Sequence, residues 1–293
     1  MSDTAERVET LPVLTWRVGD VKVTCIVEKT ELVRAHRMFK GASQEEFDAI
    51  PWLAAPFKDD KGRMNFSIHC FVVEVGGRRI LVDTCMGNHK QRHTNAHMLA
   101  TDFLERFEAA GFARESIDAV MCTHLHYDHV GWNTMLQDGR WVPTFPNARY
   151  LMGRQEFENS RDDREADHGL VFDDSVKPVF DAGLVDLVEN DHRVCDEIWF
   201  TPTPGHTEGH VSVRISSKGQ NALITGDMSH HPCQFAHPRW HTKSDTDSEA
   251  STATRLRIFS ECADEDILFI GSHFYAPTAG RVVRDGEVFR FEA

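Results

Sequence analysis

Several features are missing from this chain of 293 residues, and each absence excludes a class of protein. No apolar run is long enough for a membrane-spanning helix, and residues 1–9 are polar where a secretory signal would be apolar. The seven cysteines are scattered along the chain without a Cys-x-x-Cys pair, which disfavours a disulfide framework. We therefore expect a cytoplasmic protein that does not associate with a membrane.

Basic residues are in deficit as well. Lysine and arginine number 32 against 46 aspartates and glutamates, so the formal net charge is −14. Because proteins that bind a nucleic-acid backbone need a basic face, we expect no nucleic-acid partner. A Gly-x-Ser-x-Gly motif is also absent, so the sequence offers no serine nucleophile of that type. A small-molecule substrate is the expected partner, and a homodimer stays open.

The composition is that of a folded globular protein, with 41% hydrophobic and 27% charged residues. Because no linker rich in proline, serine or glycine interrupts the chain, we predict one domain over residues 1–293. Residues 1–10 are expected to be disordered. Residues 30–62 mix aromatic and charged side chains, which predicts an irregular excursion that covers a pocket or contacts a second subunit.

The hydrophobic pattern predicts a mixture of strands and helices. Apolar runs on either side of Gly-Asp and Gly-Gly pairs predict hairpins over residues 14–27 and 64–83. Apolar residues at helical spacing predict helices over residues 99–107 and 248–263. The order of these elements is too mixed for a doubly wound sheet, so we favour two sheets with helices packed outside them.

The densest group of metal-capable side chains is His124-Leu125-His126-Tyr127-Asp128-His129. Imidazole nitrogen suits zinc, and carboxylate oxygen suits zinc or a harder divalent ion. The group directly follows an apolar run at residues 117–122, which predicts a buried strand that leads into a functional loop. One turn of chain cannot complete the shells of two ions, so further ligands are expected downstream.

Three downstream residues are candidates for those ligands: His206, Asp227 and His273. Each follows an apolar run or a Pro-Gly turn, where the chain presents side chains at the end of a strand. The chain holds 17 histidines, so some clustering arises by chance. Four separated segments that each end in histidine or aspartate nevertheless favour a shared metal site.

The ordered set of motifs resembles the metallo-β-lactamase fold superfamily. It comprises Leu81-Val82-Asp83-Thr84, the His-x-His-x-Asp-His cluster, then Pro-Gly-His206, Gly-Asp227 and Ser-His273. Within the superfamily, the chain is most similar to the lactonase and esterase-like branch, which includes acyl-homoserine lactonases and the methyl parathion hydrolase type. The resemblance implies an α+β fold, a four-layer αββα sandwich of two mixed sheets with helices on the outer faces.

The resemblance also implies a site with two Zn²⁺ ions, which Mn²⁺, Fe²⁺ or Co²⁺ could replace. The implied ligands of the first ion are His124, His126 and His206, those of the second are Asp128, His129 and His273, and Asp227 bridges both. Asp83 would orient a ligand histidine. The expected catalytic residues are Asp128 and Asp227. Pocket candidates are His230, His231, Tyr275 and Trp132, for which packing roles stay open.

The activity implied is that of a dinuclear zinc hydrolase, in which a metal-bridging hydroxide attacks an ester-like bond of a small molecule. A lactone is the favoured substrate, and a phosphotriester, an aryl or other carboxylic ester and a thioester stay open as alternatives. Redox di-iron relatives resemble one another in having a carboxylate at the position of His126, so histidine disfavours that chemistry. Dedicated β-lactamases commonly have cysteine at the position of Asp227, and the acidic balance disfavours a nuclease.

Overall fold

The structure is a computed structural model that describes residues 13–293, so the disorder predicted for residues 1–10 lies outside the described residues. The strands are β1 (Leu14–Val18), β2 (Val21–Val33), β3 (Phe39–Lys40), β4 (Met64–Val75), β5 (Arg78–Val82), β6 (Ala119–Met121), β7 (Thr134–Gln137), β8 (Arg140–Pro143), β9 (Arg149–Gly153), β10 (Val185–Val188), β11 (Arg193–Cys195), β12 (Ile198–Pro202), β13 (Val211–Ser217), β14 (Gln220–Ile224), β15 (His241–Thr242), β16 (Ile267–Ile270), β17 (Ala279–Asp285) and β18 (Val288–Glu292). The α-helices are α1 (Ala35–Met38), α2 (Gln44–Asp48), α3 (Phe103–Ala109), α4 (Tyr127–Val130), α5 (Arg154–Asp162), α6 (Ala166–Val171), α7 (Lys177–Asp181), α8 (Cys233–Ala236) and α9 (Ser248–Asp264).

The long strands form two mixed sheets of seven strands each. One has the order β1-β2-β4-β5-β6-β9-β10 and the other the order β11-β12-β13-β14-β16-β17-β18. Both contain parallel and antiparallel pairs, since β5 runs parallel to β6 and β14 runs parallel to β16 while the hairpins are antiparallel. The predicted pair of mixed sheets and both predicted hairpins are confirmed.

The contacts divide the chain into two compact units. The first unit contains Val13–Glu28 and Ile68–His192, and the second contains Lys29–Ser67 and Arg193–Ala293. Nothing in this division tests the one-domain organisation, which stays a prediction.

Strand direction places polar side chains together within each unit. In the first unit, β5 and β6 are parallel neighbours and end at the same edge of the sheet. Asp83 and Thr123, which follow these two strands, therefore lie at that edge. In the second unit, Ile224 pairs with Ile270 in a parallel register, so the loops with Asp227 and His273 leave one edge. The buried β-branched and aromatic runs therefore end where the polar candidates begin.

Residues 30–62 are more regular than the sequence predicts. They contain the end of β2, then α1, β3 and α2, and β3 pairs with β15. Phe39, Phe47 and Phe57 are buried in the core of the second unit. Because burial of aromatic area is the main stabilising contribution here, tertiary packing orders a segment without a clear local period. Its role in covering a pocket or in contacting a second subunit stays a prediction.

The helix predicted over residues 99–107 begins later than expected. α3 starts at Phe103, because the carbonyl of Leu99 accepts a hydrogen bond from the His89 amide of a preceding loop. The helix predicted near residues 248–263 is α9. Among the described residues, no helix is both long enough and apolar enough to cross a membrane.

Candidate metal centre

In the second unit, Asp227 lies between two histidine rings. Its Oδ2 is 3.2 Å from Nε2 of His206, and its Oδ1 is 2.9 Å from Nε2 of His273. All three side chains are buried. Two ligands that each lie about 2.1 Å from a tetrahedral zinc ion are roughly 3.4 Å apart, so the 3.2 Å separation is near that of two ligands on one ion and the 2.9 Å separation is shorter. Each oxygen of Asp227 can thus serve a different ion.

The other ring nitrogens of these two histidines are held by different groups. Nδ1 of His206 lies 2.9 Å from Oδ1 of Asp245, whereas Nδ1 of His273 donates to the carbonyl of Ser67 at 2.9 Å. Metal-binding histidines usually have such a partner, which fixes the tautomer that leaves Nε2 available as the ligand. The donor set and its outer partners therefore suit a divalent metal ion.

Negative charge around His206 also favours a cation at its ring. Burial disfavours a charged imidazole, but the carboxylates of Asp227 and Asp245 outweigh burial and raise the pKa of His206 to about 9. Any cation at Nε2, whether a proton or a divalent ion, benefits from the same carboxylates.

The neighbouring histidines of the pair His230-His231 have different surroundings. Nε2 of His230 is 3.0 Å from Oδ2 of Asp227, its ring stacks on His273, and burial lowers its pKa. Nε2 of His231 instead donates to the carbonyl of Phe57, and its Nδ1 accepts from the amide of Cys233. Its position favours a structural role for His231, which leaves His230 as the member of the pair beside the candidate ligands.

In the first unit, Asp83 organises the histidine loop. Its Oδ1 accepts from the Thr123 amide at 2.8 Å, and its Oδ2 accepts from the Thr123 hydroxyl at 2.9 Å and from Nδ1 of His129 at 2.8 Å. Oγ1 of Thr123 is also 3.1 Å from Nδ1 of His124. Asp83 is thus placed to orient His129 directly and His124 through Thr123.

His124 is completely buried, whereas His126 and Asp128 are partly exposed. The ring of His124 lies 4.6 Å from that of His126 and 4.1 Å from that of His129, measured between centroids. His126 also stacks on His168 at 5.8 Å, and Nδ1 of His168 is 2.5 Å from Oδ2 of Asp163. The side chain of Asp128 is 14% exposed, so it is the more accessible of the two carboxylates among the predicted ligands.

Two of the predicted pocket residues pack into cores. The indole nitrogen of Trp132 donates to the buried carboxylate of Glu28 at 2.7 Å, and its ring stacks on Phe103 in the first unit. Tyr275 is partly buried against the aromatic core of the second unit. Both positions agree better with packing than with contact to a substrate.

The seven predicted ligands fall into two groups that could each hold a metal ion. Both groups consist of histidine and aspartate side chains. The individual ligand roles stay predictions.

Comparison with known families agrees with these clusters. The model described as "Metallo-beta-lactamase superfamily" matches residues 64–273, well over half of the chain. The chain belongs to this superfamily. With its His/Asp clusters, this superfamily member is a metal-dependent hydrolase.

Relatives of this superfamily member are distant in sequence and close in fold. An N-acyl homoserine lactonase of Bacillus sp is 24% identical over 208 residues, which cover 66% of this chain and 76% of the relative. The crystal structure of hydrolase AbOPH, of the beta lactamase superfamily, aligns with a TM-score of 0.81 at 23% identity, covering 97% of both chains. AidC, a dizinc quorum-quenching lactonase in complex with a product, aligns with a TM-score of 0.76 at 20% identity, covering 96% of both. The expected αββα fold is confirmed.

Two further residues support the superfamily site and are not indicated by the motifs alone. His210 is buried, and its Nε2 accepts from the Asp227 amide at 2.8 Å. Asp245 accepts from His206, and although burial acts in the opposite direction, that hydrogen bond holds the pKa of Asp245 below its usual range. The pattern Gly-His206-Thr-Glu-Gly-His210 could have indicated His210, but Asp245 carries no local signal because 39 residues separate it from His206.

Proposed function

We propose that this superfamily member is a dinuclear zinc hydrolase that cleaves an ester-like bond of a small molecule, with a lactone as the substrate class. The observation that carries the proposal is Asp227, whose two oxygens face the Nε2 atoms of two different histidines. One carboxylate shared in this way suits two ions held close together. The names of the lactonase relatives support the choice of a lactone.

Zinc is proposed because the donors are imidazole nitrogens and carboxylate oxygens. When bound, two such ions supply Lewis acidity and a water of lowered pKa in place of a side-chain nucleophile. Asp83 and Asp245 hold the Nδ1 atoms of His129 and His206, so that Nε2 of each ring would be available to hold a metal ion.

The carboxylates of the site are assigned different tasks. We assign to Asp227 the bridging of the two metal positions. Its own position is fixed by the hydrogen bond that its amide donates to His210. Asp128 is more accessible, so we assign to it the transfer of a proton to the departing oxygen. In the overall reaction one water adds across the bond, the acyl carbon gains hydroxyl, and the C–O bond to the leaving oxygen breaks.

Metal analysis and a hydrolysis panel test the proposal. We expect close to two divalent ions per purified chain and highest turnover on a lactone. The panel includes an aryl ester, a phosphotriester, a thioester and a β-lactam, because the same site could attack each of these bonds. Higher turnover on another member of the panel would replace the lactone by that class, and metal-free protein after metal-replete expression would contradict the whole proposal.

The matched variants are Asp227→Asn and Asp264→Asn. We expect Asp227→Asn to lose at least one ion and on the order of 10³-fold in kcat/KM, because an amide cannot bridge two cations. Asp264 is an exposed aspartate of the same unit, paired with Arg284, so Asp264→Asn should keep both metal and activity. Activity that survives in Asp227→Asn, or in Asp128→Ala and His126→Ala, would show that the site is elsewhere.

A further inference from the structure

The buried carboxylate of Asp245 joins a candidate ligand to a buried arginine. Its side chain is 0% exposed, with Oδ1 2.9 Å from Nδ1 of His206 and Oδ2 3.6 Å from Nη1 of Arg255. Oδ2 also accepts from the hydroxyl of Ser251 at 2.7 Å, and Oδ1 accepts from the hydroxyl of Thr242. A carboxylate so enclosed and so fully hydrogen-bonded has one orientation available to it.

The chain around Asp245 also fixes the backbone of the His206 loop. The amide of Thr246 donates to the carbonyl of His206, and the amide of Asp247 donates to the carbonyl of Gly205, both at 2.9 Å. Gly205 has a φ of +131°, and a Cβ there would lie 2.1 Å from the amide nitrogen of Ser251. The start of α9 therefore lies directly against the loop, and both the backbone and the ring of His206 depend on the same short segment.

Arg255 connects this segment to the loop of Asp227. Its guanidinium is completely buried, and Nη1 donates to Ser251 Oγ at 2.6 Å and to the carbonyl of Met228 at 3.4 Å. Met228 is the residue directly after Asp227. Nε donates to the carbonyl of Pro238 at 2.8 Å. A buried carboxylate without a counter-charge is costly, so Arg255 also compensates Asp245.

The two histidines beside Asp227 therefore differ in their support. His206 is backed by a carboxylate, whereas His273 is backed by the neutral carbonyl of Ser67. A carboxylate partner makes the opposite ring nitrogen a stronger ligand than a carbonyl partner does, because its negative charge is shared with the imidazole. Loss of the charge at residue 245 should consequently weaken one metal position and leave the other nearly unchanged.

We propose that Asp245 is a positioning residue that sets metal affinity at the His206 position, and that Arg255 holds it there and couples it to the Asp227 loop. The inference rests on the proposed function, since it takes His206 and Asp227 as metal ligands. It assigns to a residue outside the motifs the control of one of the two metal positions.

The test compares Asp245→Asn with Asp264→Asn, the exposed control of the same unit. Zinc binding is measured by competition with a chromophoric chelator, and the Co²⁺-loaded proteins are compared by visible absorption. In Asp245→Asn we expect one equivalent of zinc to bind about 10–100-fold more weakly, with a shifted Co²⁺ spectrum for that equivalent only. Asp264→Asn should match the wild type in both readouts.

A second variant guards against a folding defect. Arg255→Lys keeps the positive charge but loses the geometry that reaches both Asp245 and Met228. It should therefore weaken binding of the same equivalent of zinc. Unchanged affinity for both equivalents in folded Asp245→Asn, or in Arg255→Lys if Asp245→Asn does not fold, overturns the inference. Wild-type protein that binds fewer than two ions would instead contradict the proposed function, so the two failures are distinguishable.

Discussion

The two regions that carry the candidate ligands are supported in different ways. In the first unit, the histidine loop is tied down by polar contacts: the amide of Thr84 donates to the carbonyl of His129, and its hydroxyl donates to Asn133. The approach is so close that a Cβ at Gly131 would lie 1.8 Å from the carbonyl oxygen of Met86. Polar contacts of side chains and backbone amides therefore add to the apolar packing of Val130 and Trp132 in this loop.

The loops of the second unit are supported by an aromatic core. Phe274 directly follows His273, and its ring lies 5.3 Å from Phe291 and 6.0 Å from Phe235. Phe235 also packs on Phe259 at 4.3 Å and on Phe269 at 5.1 Å. We therefore expect the stability of the second unit to depend on side-chain volume in its core. In the first unit, we expect stability and zinc affinity to depend on charge and pH.

The largest expected effect is that of Phe235→Ala. Removal of a ring from a packed aromatic cluster should lower the free energy of unfolding by about 3–5 kcal/mol, measured by urea denaturation of the protein with and without zinc. The control is Phe180→Ala in the first unit. Because Phe180 is 46% exposed, this substitution should lower the free energy of unfolding far less. A loss of stability no greater than that of the control would remove the distinction between the two regions.

Asp83→Asn tests the polar support of the first unit. Asp83 has a φ of +57°, a conformation that asparagine tolerates, so the substitution removes charge and one acceptor without new backbone strain. We expect zinc affinity at the His129 position to fall about 10–100-fold, with kcat/KM falling alongside it. A chelator competition that shows wild-type affinity would mean that the hydrogen bond to His129 is only structural.

A buried lysine in the first unit gives a further prediction, which concerns the pH dependence of stability. Nζ of Lys90 donates to the hydroxyl of Thr134 at 2.8 Å and lies 3.4 Å from Oδ1 of Asp174, which Arg92 also binds through both of its terminal nitrogens. The ring of Trp141 faces the ammonium at 3.9 Å. Burial, which the carboxylate of Asp174 only partly offsets, lowers the pKa of Lys90 to about 7.

This lowered pKa predicts a pH dependence of stability with a definite sign. Between about pH 7 and the usual lysine pKa near 10.4, the unfolded chain binds a proton at residue 90 that the folded chain has released. Stability due to this group therefore rises with pH in that window, by at most about 1.4 kcal/mol per pH unit, and is flat below it. Lys90→Met should abolish the rise relative to wild type in urea denaturation across the window, and Lys177→Met, at an exposed lysine, should not. Identical slopes for wild type and Lys90→Met would refute the prediction.

Much of the site is predictable because its signals are local. His124, His126, Asp128 and His129 lie within six residues, and the apolar runs before them and before Asp227 predict the strands that present them. His230 and His231 differ in a way that local signals do not predict. They are adjacent in sequence, yet one ring faces Asp227 and the other contacts the chain at Phe57, a difference that no local pattern encodes.

Residue type and short-range spacing are enough to predict the kinds of candidate ligand, their order, the hairpins and the family. The partner of each histidine ring nitrogen follows only from the packed fold: Asp83 for His129, Asp245 for His206 and the carbonyl of Ser67 for His273. The packed fold also ordered residues 30–62 by burying their aromatic rings. The physical reason is the same in both cases, since hydrogen-bond partners and buried area are set by segments distant in the chain that only the packed fold brings together.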